Sequence, residues 1–408
     1  MRCGDYSLWA FVWIHAMRTG NFAGQRTITD PITGRPFPNN IIPTNRISPQ
    51  ATYFLPFMLT QHQGVFNAPQ SLDIYKADMK VDTEVTQADR VMVRYSIADN
   101  LESDPNQYPA LGIQPLHSRA QNVALTWTRI LTPKLLNEAR FGYYRDYFLF
   151  GAVLPGTNYV QQAGITGFEQ TQLSPSFPLI TLSGFSGFNG SGSNSLPKSN
   201  RIRTWQYTDT VGYSNGKHDI RFGGQLYHQN HGFFNGQSQE GQFAFSTNYT
   251  GNSFGDYLLG LPTSVFRAYP LSLYGNYANQ WAAFVQDDYR VTPRLTLNVG
   301  LRWAYNPFFN GVNAQTSAFD YATGKVIVPT DGSGNLLNPM AQPVTPLLIP
   351  LFSDRTLGTS QLGLPQSIRT TGPGQWLPRF GFAWQPGFTN RVVVRGAYGI
   401  FDQFLIRT

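Results

Sequence analysis

The chain has 408 residues, only 13% charged against 14% aromatic, whereas an ordinary globular domain is about a quarter charged. The net charge of +7 comes from scattered Lys and Arg, which excludes a surface dense enough to track nucleic-acid phosphates. One cysteine, Cys3, excludes an internal disulfide framework, and no apolar run reaches the roughly 20 residues of a transmembrane helix.

Gly (39), Pro (28) and Tyr (21) are plentiful, which argues for strands and turns. The opening MRCGDYSLWAFVWIHAMRTGNFAG carries an apolar segment from Leu8 to Ala16 of signal-peptide length. His15 interrupts it and no small-x-small cleavage site follows, so it is not read as a signal peptide. Residues 30–58 read as Pro-punctuated coil, with a short helix expected after Ser48. The sequence divides into a loop-rich Pro/Gly segment over 1–70 and a strand-built region over 71–408.

Five strand pairs follow, each testable by parity, because strand side chains alternate faces and the loop length must keep the apolar set on one side. Met79, Val81 and Val85 lead through TQAD to Val91, Val93, Tyr95 and Ile97. Val123, Leu125, Trp127 and Leu131 lead through Thr132, Pro133 and Lys134 to Leu135, Ala139, Phe141 and Tyr143. In the third pair Trp205, Tyr207, Val211 and Tyr213 are odd while Ile220, Phe222 and Leu226 are even, so the loop must be even. Asn215-Gly216 supplies it as a two-residue type I′ turn.

The fourth pair spans residues 280–306 around Thr292, Pro293 and Arg294, and the fifth runs from Phe380, Phe382 and Trp384 through PGFTN to Val392, Val394, Tyr398 and Ile400. Weaker strands around 242–246 and 264–269 raise the count to about twelve. Short turns alternate with long segments at 99–119, 148–200 and 307–375. Within these, residues 183–195 read as a flexible Gly/Ser excursion and 251–262 as one short helix beside the wall.

The fourth pair asks what its greasy side faces. A soluble sandwich would bury that side and commonly join its strands by short connections at both ends. Here the strands are long, the connections are short at one end only, and Tyr289 lies near the turn while Trp281, Trp303 and Tyr305 gather at the far rim. Two aromatic girdles around an aliphatic band describe an all-β, transmembrane antiparallel β-barrel with short periplasmic turns and long extracellular loops. Lipid-facing and girdle candidates are Trp281, Val285, Tyr289, Leu297, Val299, Leu301, Trp303 and Tyr305. Lumen-facing candidates are Gln286, Asp288, Asn298, Arg302, Glu138 and Arg140. Asp287 interrupts the lipid-facing parity near a rim, where the cost is modest.

Other chemistry is thin. His228 and His231 have a spacing that suits a metal only on a helix, and they are read as solvated histidines at a strand end entering a loop. Asp287 and Asp288 point to opposite faces and cannot share a substrate. No G-x-S-x-G elbow occurs and no pair of acids stands out for glycosidase work. We expect no enzyme activity, cofactor or metal. The loops FNGSGSN and YGNYANQW could stack on sugars or peptides, but no ligand-binding residue is singled out.

The phrases MRTGNFAG, ITDPITGRPFPNNIIPTNRISPQA, MKVDTEVTQADRVMVRYS, LTWTRILTPKLLNEARFGYYR, GKHDIRFGGQLYHQ, SFGDYLLGLP and WAAFVQDDYRVTPRLTLNVGLRW span nearly the whole chain. In their order and spacing the sequence resembles the β-barrel portion of TonB-dependent outer-membrane receptors, in particular the Oar-like branch. The resemblance implies an outer-membrane barrel of roughly 22 strands around a plug. It also implies uptake of a large solute such as a glycan, peptide or metal chelate, energised by a TonB-type partner acting on a short N-terminal box. Outer-membrane lipid and an unidentified extracellular ligand would be the other partners. No plug or box is read here, and about twelve strands correspond to about half of such a wall, so a partial barrel is expected. The rival expectation is a secreted or surface β-rich protein that binds glycans or adheres without transport.

Overall fold

The computed structural model describes residues 16–57, 69–105, 111–152, 154–167, 176–185, 188–189, 197–235, 240–267, 272–312, 316–330, 353–388 and 391–402. Five hairpins lie side by side in one antiparallel sheet. Their strands are β1 (Ser71–Glu84), β2 (Asp89–Pro105), β3 (Ile113–Thr132), β4 (Leu135–Phe150) and β5 (Lys198–Asn215), then β6 (His218–Asn235), β7 (Ser272–Thr292), β8 (Leu295–Tyr305), β9 (Gln375–Trp384) and β10 (Val394–Gly399). Each strand pairs with the next in the chain, and a short strand, Asn310–Val312, also pairs with β7. Among the described residues β1 and β10 do not pair with each other, so the sheet is an open, partial barrel wall.

The turns explain how the register is set. Pro293 and Pro133 occupy the first corner of two-residue turns, where their fixed φ is preorganised. Thr292 Oγ1 accepts from the Arg294 amide at 3.2 Å and Thr132 Oγ1 from the Lys134 amide at 3.3 Å. Each turn is preceded by a bulge in the first strand, at Val291 and at Leu131, so the expected three-residue loop is a two-residue turn plus a bulge that preserves the odd count. The third turn differs from expectation. Asn215 pairs with His218, leaving Gly216-Lys217 as the corner, and the positive φ of 63° at Gly216 alone fits type II′ rather than I′. The same edge is stitched between hairpins, with Ser214 N donating to Lys134 O at 2.9 Å and Arg290 N to Lys217 O at 2.8 Å.

Several expectations are corrected. Residues 99–119 are mostly strand, because β2 and β3 continue to Pro105 and from Ile113 and only 106–112 connect them. The strands at Gln242–Phe245 and Ser264–Phe266 are not in the wall. They join Leu179–Leu182 and Phe188–Asn189 in a separate four-stranded sheet, since runs of three or four residues are too short to cross with the long hairpins. The Gly/Ser excursion at 183–195 and the apolar segment Leu8–Ala16 fall largely outside the described residues.

On the side of the long connections stands a cap with its own hydrophobic core. Met17, Phe22, Ile28, Ile42 and Phe54 from the opening segment are buried together with Leu111, Val160, Phe177, Ile180, Phe243, Phe254 and Leu258 from three inter-strand connections. Ser48 starts helix α1 (Pro49–Phe54), accepting from the Ala51 amide at 3.4 Å with Pro49 in the first turn. A short helix, α2 (Tyr159–Gln162), adds Val160 to the core. Asn252 caps α3 (Ser253–Leu258) through the Phe254 and Gly255 amides. All six α3 residues are buried, so this helix lies at the centre of the cap rather than beside the wall.

Candidate functional site

The register sorts the sequence candidates onto two faces. Trp281 pairs with Tyr305, Val285 with Leu301 and Tyr289 with Leu297, while Val299 and Trp303 alternate with them, so all eight apolar candidates share one face. Trp281 is 49% exposed, Val285 48%, Val299 52% and Leu301 40%. Gln286, Asp288, Asn298 and Arg302 lie on the other face. Following the pairing through β6 and β5 to β4 brings Glu138 and Arg140 to that same polar face.

The polar face is bonded within itself. Asn298 Nδ2 donates to Asp288 Oδ1 at 2.5 Å, and Arg302 donates to Gln225 Oε1 at 2.8 Å. Arg140 pairs with Glu138 at 2.5 Å, Lys80 with Asp82 at 2.7 Å and Arg94 with Asp78 at 3.1 Å. Exposed pairs of this kind stabilise little one by one. Together they form a surface suited to water and not to hydrocarbon.

On the apolar face the greasy run has two aromatic ends. Near the turns, His218 stacks on Tyr289 with ring centroids 4.4 Å apart, and Arg129 lies 5.9 Å over Trp127. At the far end Tyr143 and Trp205 meet at 5.4 Å and Trp303 stacks on Tyr305 at 6.3 Å. Beyond these rings the same parity turns polar on successive strands: Asp99 on β2, Arg119 on β3, Arg145 on β4, Arg203 on β5, His228 on β6 and Asn279 on β7. From Tyr213 to Trp205 is about 26 Å along the strand and about 20 Å once tilted, near the ~25 Å apolar band of outer-membrane barrels.

Three acids interrupt the apolar face, each with a partner, and the first, Asp89, accepts from Trp127 Nε1 at 3.0 Å. Asp287 Oδ2 lies 2.7 Å from His218 Nδ1, and Asp209 accepts from Asn137 Nδ2 at 2.6 Å. Beside Asp209 the small residues Ala139 and Gly224 leave a shallow open groove lined by Leu125, Trp127, Phe141 and Leu226.

The cap is held by polar bonds inside its apolar core. Tyr257 Oη donates to the Ala51 carbonyl at 2.7 Å, and burial pushes its hydroxyl pKa up. Asp256 accepts from the Thr250 amide at 2.7 Å, the Thr250 hydroxyl at 2.6 Å and the Tyr249 amide at 3.0 Å. A Cβ on Gly255 would stand 2.6 Å from Thr250 Oγ1, so this network requires glycine there. Arg46 bonds Asp30 at 3.1 Å and, with the Ile32 amide, holds that carboxyl below the usual range.

Residues 6–406 match the family model for an outer membrane beta barrel domain. The chain belongs to this family. Solved structures similar to this outer-membrane barrel domain include the copper transporter OprC, with a TM-score of 0.40 and 10% identity over 81% of this chain and 38% of that one. The ferripyoverdine receptor of the outer membrane of Pseudomonas aeruginosa gives 0.39 and 9% over 81% and 35%. The ferric-catecholate import receptor Fiu from K12 E. coli, in its closed form, gives 0.34 and 10% over 77% and 41%. The barrel domain thus spans less than half the length of each. No curated protein matches it.

His228 and His231 are not loop residues of this barrel domain but lie within β6, on opposite faces. His228 Nδ1 is 2.6 Å from Asn279 Oδ1 and His231 Nε2 is 2.5 Å from Asn200 Oδ1. Among the described residues no three His, Cys, Asp or Glu side chains group as a metal site would require. Sequence reasoning passed over the polar edge at Arg145 and Arg203. Its signal is the arginine that follows Tyr143 and precedes Trp205 on the apolar parity of each strand.

Proposed function

We propose that this chain supplies part of the wall and the extracellular cap of a receptor for energised uptake of a large solute, a glycan, peptide or metal chelate. The apolar face of the wall meets outer-membrane lipid, and the polar face lines the lumen or a plug within it. A TonB-type protein provides the energy, acting on a segment outside the wall. The observation that carries this reading is the division of one sheet into a bonded polar face and an aliphatic face bounded by aromatics, with a cored cap on the side of the long connections. Such a wall separates lipid from water, and a preformed cap offers a fixed surface to an arriving ligand.

The test uses cells carrying the complete protein and a panel of labelled glycans, peptides and metal chelates. Energy-dependent accumulation that stops when the TonB-type partner is deleted is the expected result. Surface binding with no accumulation of any panel member would sink transport. It would leave the second reading, a surface glycan-binding or adhesion protein, which the exposed cap-side rings of Tyr249 and Tyr321 favour.

A further inference from the structure

Arg145 and Arg203 are register partners on β4 and β5, directly opposite each other on the apolar face. Like charges in that position are destabilising unless an anion lies between them. Neither has an acid across its other side: Arg145 faces Gln121 and Arg203 faces Asn230. The neighbouring acid on this rim, Asp99, is already bonded to Arg119 and His117. One step further out Arg201 lies 5.4 Å over the ring of Tyr147, adding a third cation. Immediately below them sit Tyr143 and Trp205, the rings that end the aliphatic run.

We infer that Arg145, Arg203 and Arg201 bind the phosphate of an anionic membrane lipid at the outer rim of the wall. The inference rests on the proposed lipid contact of the apolar face. Height decides the ligand. Cations two residues beyond the aromatic ring pair, next on the same face, stand at headgroup level, where a lipid phosphate is held by its own acyl chains against the rings below. Guanidinium groups suit phosphate by their planar fork, and two of them flanking one phosphate turn their mutual repulsion into a chelate. A free phosphate would satisfy the charge but would bring no apolar anchor to Tyr143 and Trp205.

The experiment compares the wild-type chain in the assembled outer-membrane barrel with Arg145→Gln/Arg203→Gln and Arg145→Lys/Arg203→Lys. Each is delipidated mildly, confirmed as folded by heat-modifiable migration, and titrated with micelles containing phosphatidylglycerol, with phosphatidylcholine, or with inorganic phosphate alone. Bound lipid is counted by native mass spectrometry. The wild type should retain phosphatidylglycerol over phosphatidylcholine, the Gln pair should lose about 25-fold in that retention at about fivefold per arginine, and the Lys pair, which keeps the charge without the fork, should fall between the two. Equal retention by the Gln pair, or binding of inorganic phosphate as strong as that of the lipid, overturns the inference. A fluorophore at Val285, tested with brominated acyl chains, separates the two failures. Quenching with unchanged lipid retention removes the rim site alone, whereas no quenching removes the lipid-facing reading beneath it.

Discussion

His218 Nδ1 lies 2.7 Å from Asp287 Oδ2, and its ring stacks on Tyr289 at 4.4 Å, on the apolar face of the wall. The acid that breaks the alternation of β7 is therefore supplied with a donor from the adjacent strand. Removing that donor by His218→Ala should weaken the folded barrel in lipid by about 0–1 kcal/mol, the scale of a polar group near the interface. Replacing both residues by leucine should restore it. Urea unfolding in lipid, followed by heat-modifiable migration, reads both. A double variant weaker than the single would contradict the pairing.

Val285 pairs with Phe222 on one side and Leu301 on the other, and Asp287 lies only diagonally along its own strand, whereas Val299 stands directly opposite Asp287. Val285→Arg should cost about 2–4 kcal/mol of assembly in lipid. Val299→Arg should cost less, because Asp287 answers it. Gln206→Arg, on the polar face, should assemble normally. Comparing the three by membrane fractionation tests the direction of both faces, and equal behaviour of Val285→Arg and Gln206→Arg would refute it.

Gly216 holds φ at 63° and has open space where a side chain would project. Its substitution is thus a backbone experiment. Gly216→Val should cost about 1–2 kcal/mol, and Gly216→Asn distinctly less. Kinetics of barrel assembly would register the difference as slowed closing of the β5–β6 hairpin, and identical rates would argue against the type II′ corner.

The Arg46 hydrogen bond keeps the Asp30 carboxyl more acidic in the folded cap than in the unfolded chain. A group depressed in this way stabilises the fold fully above the ordinary carboxylate pKa, near pH 4, and the contribution disappears as pH falls through the lower folded value. Amide exchange over residues 28–46 should therefore accelerate below about pH 4 relative to the rest of the cap. Arg46→Gln should abolish that differential response. Unchanged acid sensitivity in the variant would show that another group is responsible.

The strand β1 is exposed along its whole length, and β10 ends the sheet on the other side. Two open edges, the first 14 residues long, invite pairing with other chains. The chain made alone in water should aggregate, with sedimentation showing no monomer. A stable soluble monomer would be incompatible with the wall described.

The five hairpins are legible in the sequence because parity is local: each needs only two runs and the count of residues between them. The switch of parity in the third hairpin could be read before any pairing was known, although the sequence places its corner at Asn215-Gly216, one residue before Gly216-Lys217. The cap is not legible in this way. Ile28, Phe177 and Phe254 meet only after wall strands intervene, and nothing periodic links their segments. For the same reason Gln242–Phe245 looks like a wall strand until its partners, Leu179–Leu182 and Ser264–Phe266, are seen. Asp209 breaks the odd apolar run between Tyr207 and Val211 in plain view, but its partner Asn137 lies on a strand before a long connection.

The bond from Tyr257 to Ala51 joins positions 206 apart, and that separation sets an order of events during synthesis. Residues 17–54 are made before the rest of the cap, and their apolar side chains find cover only after β1 to β6 and α3 have followed. Closing so long a loop is entropically slow to begin. Residues 17–54 therefore need shielding in transit, and the cap locks only once α3 has followed them.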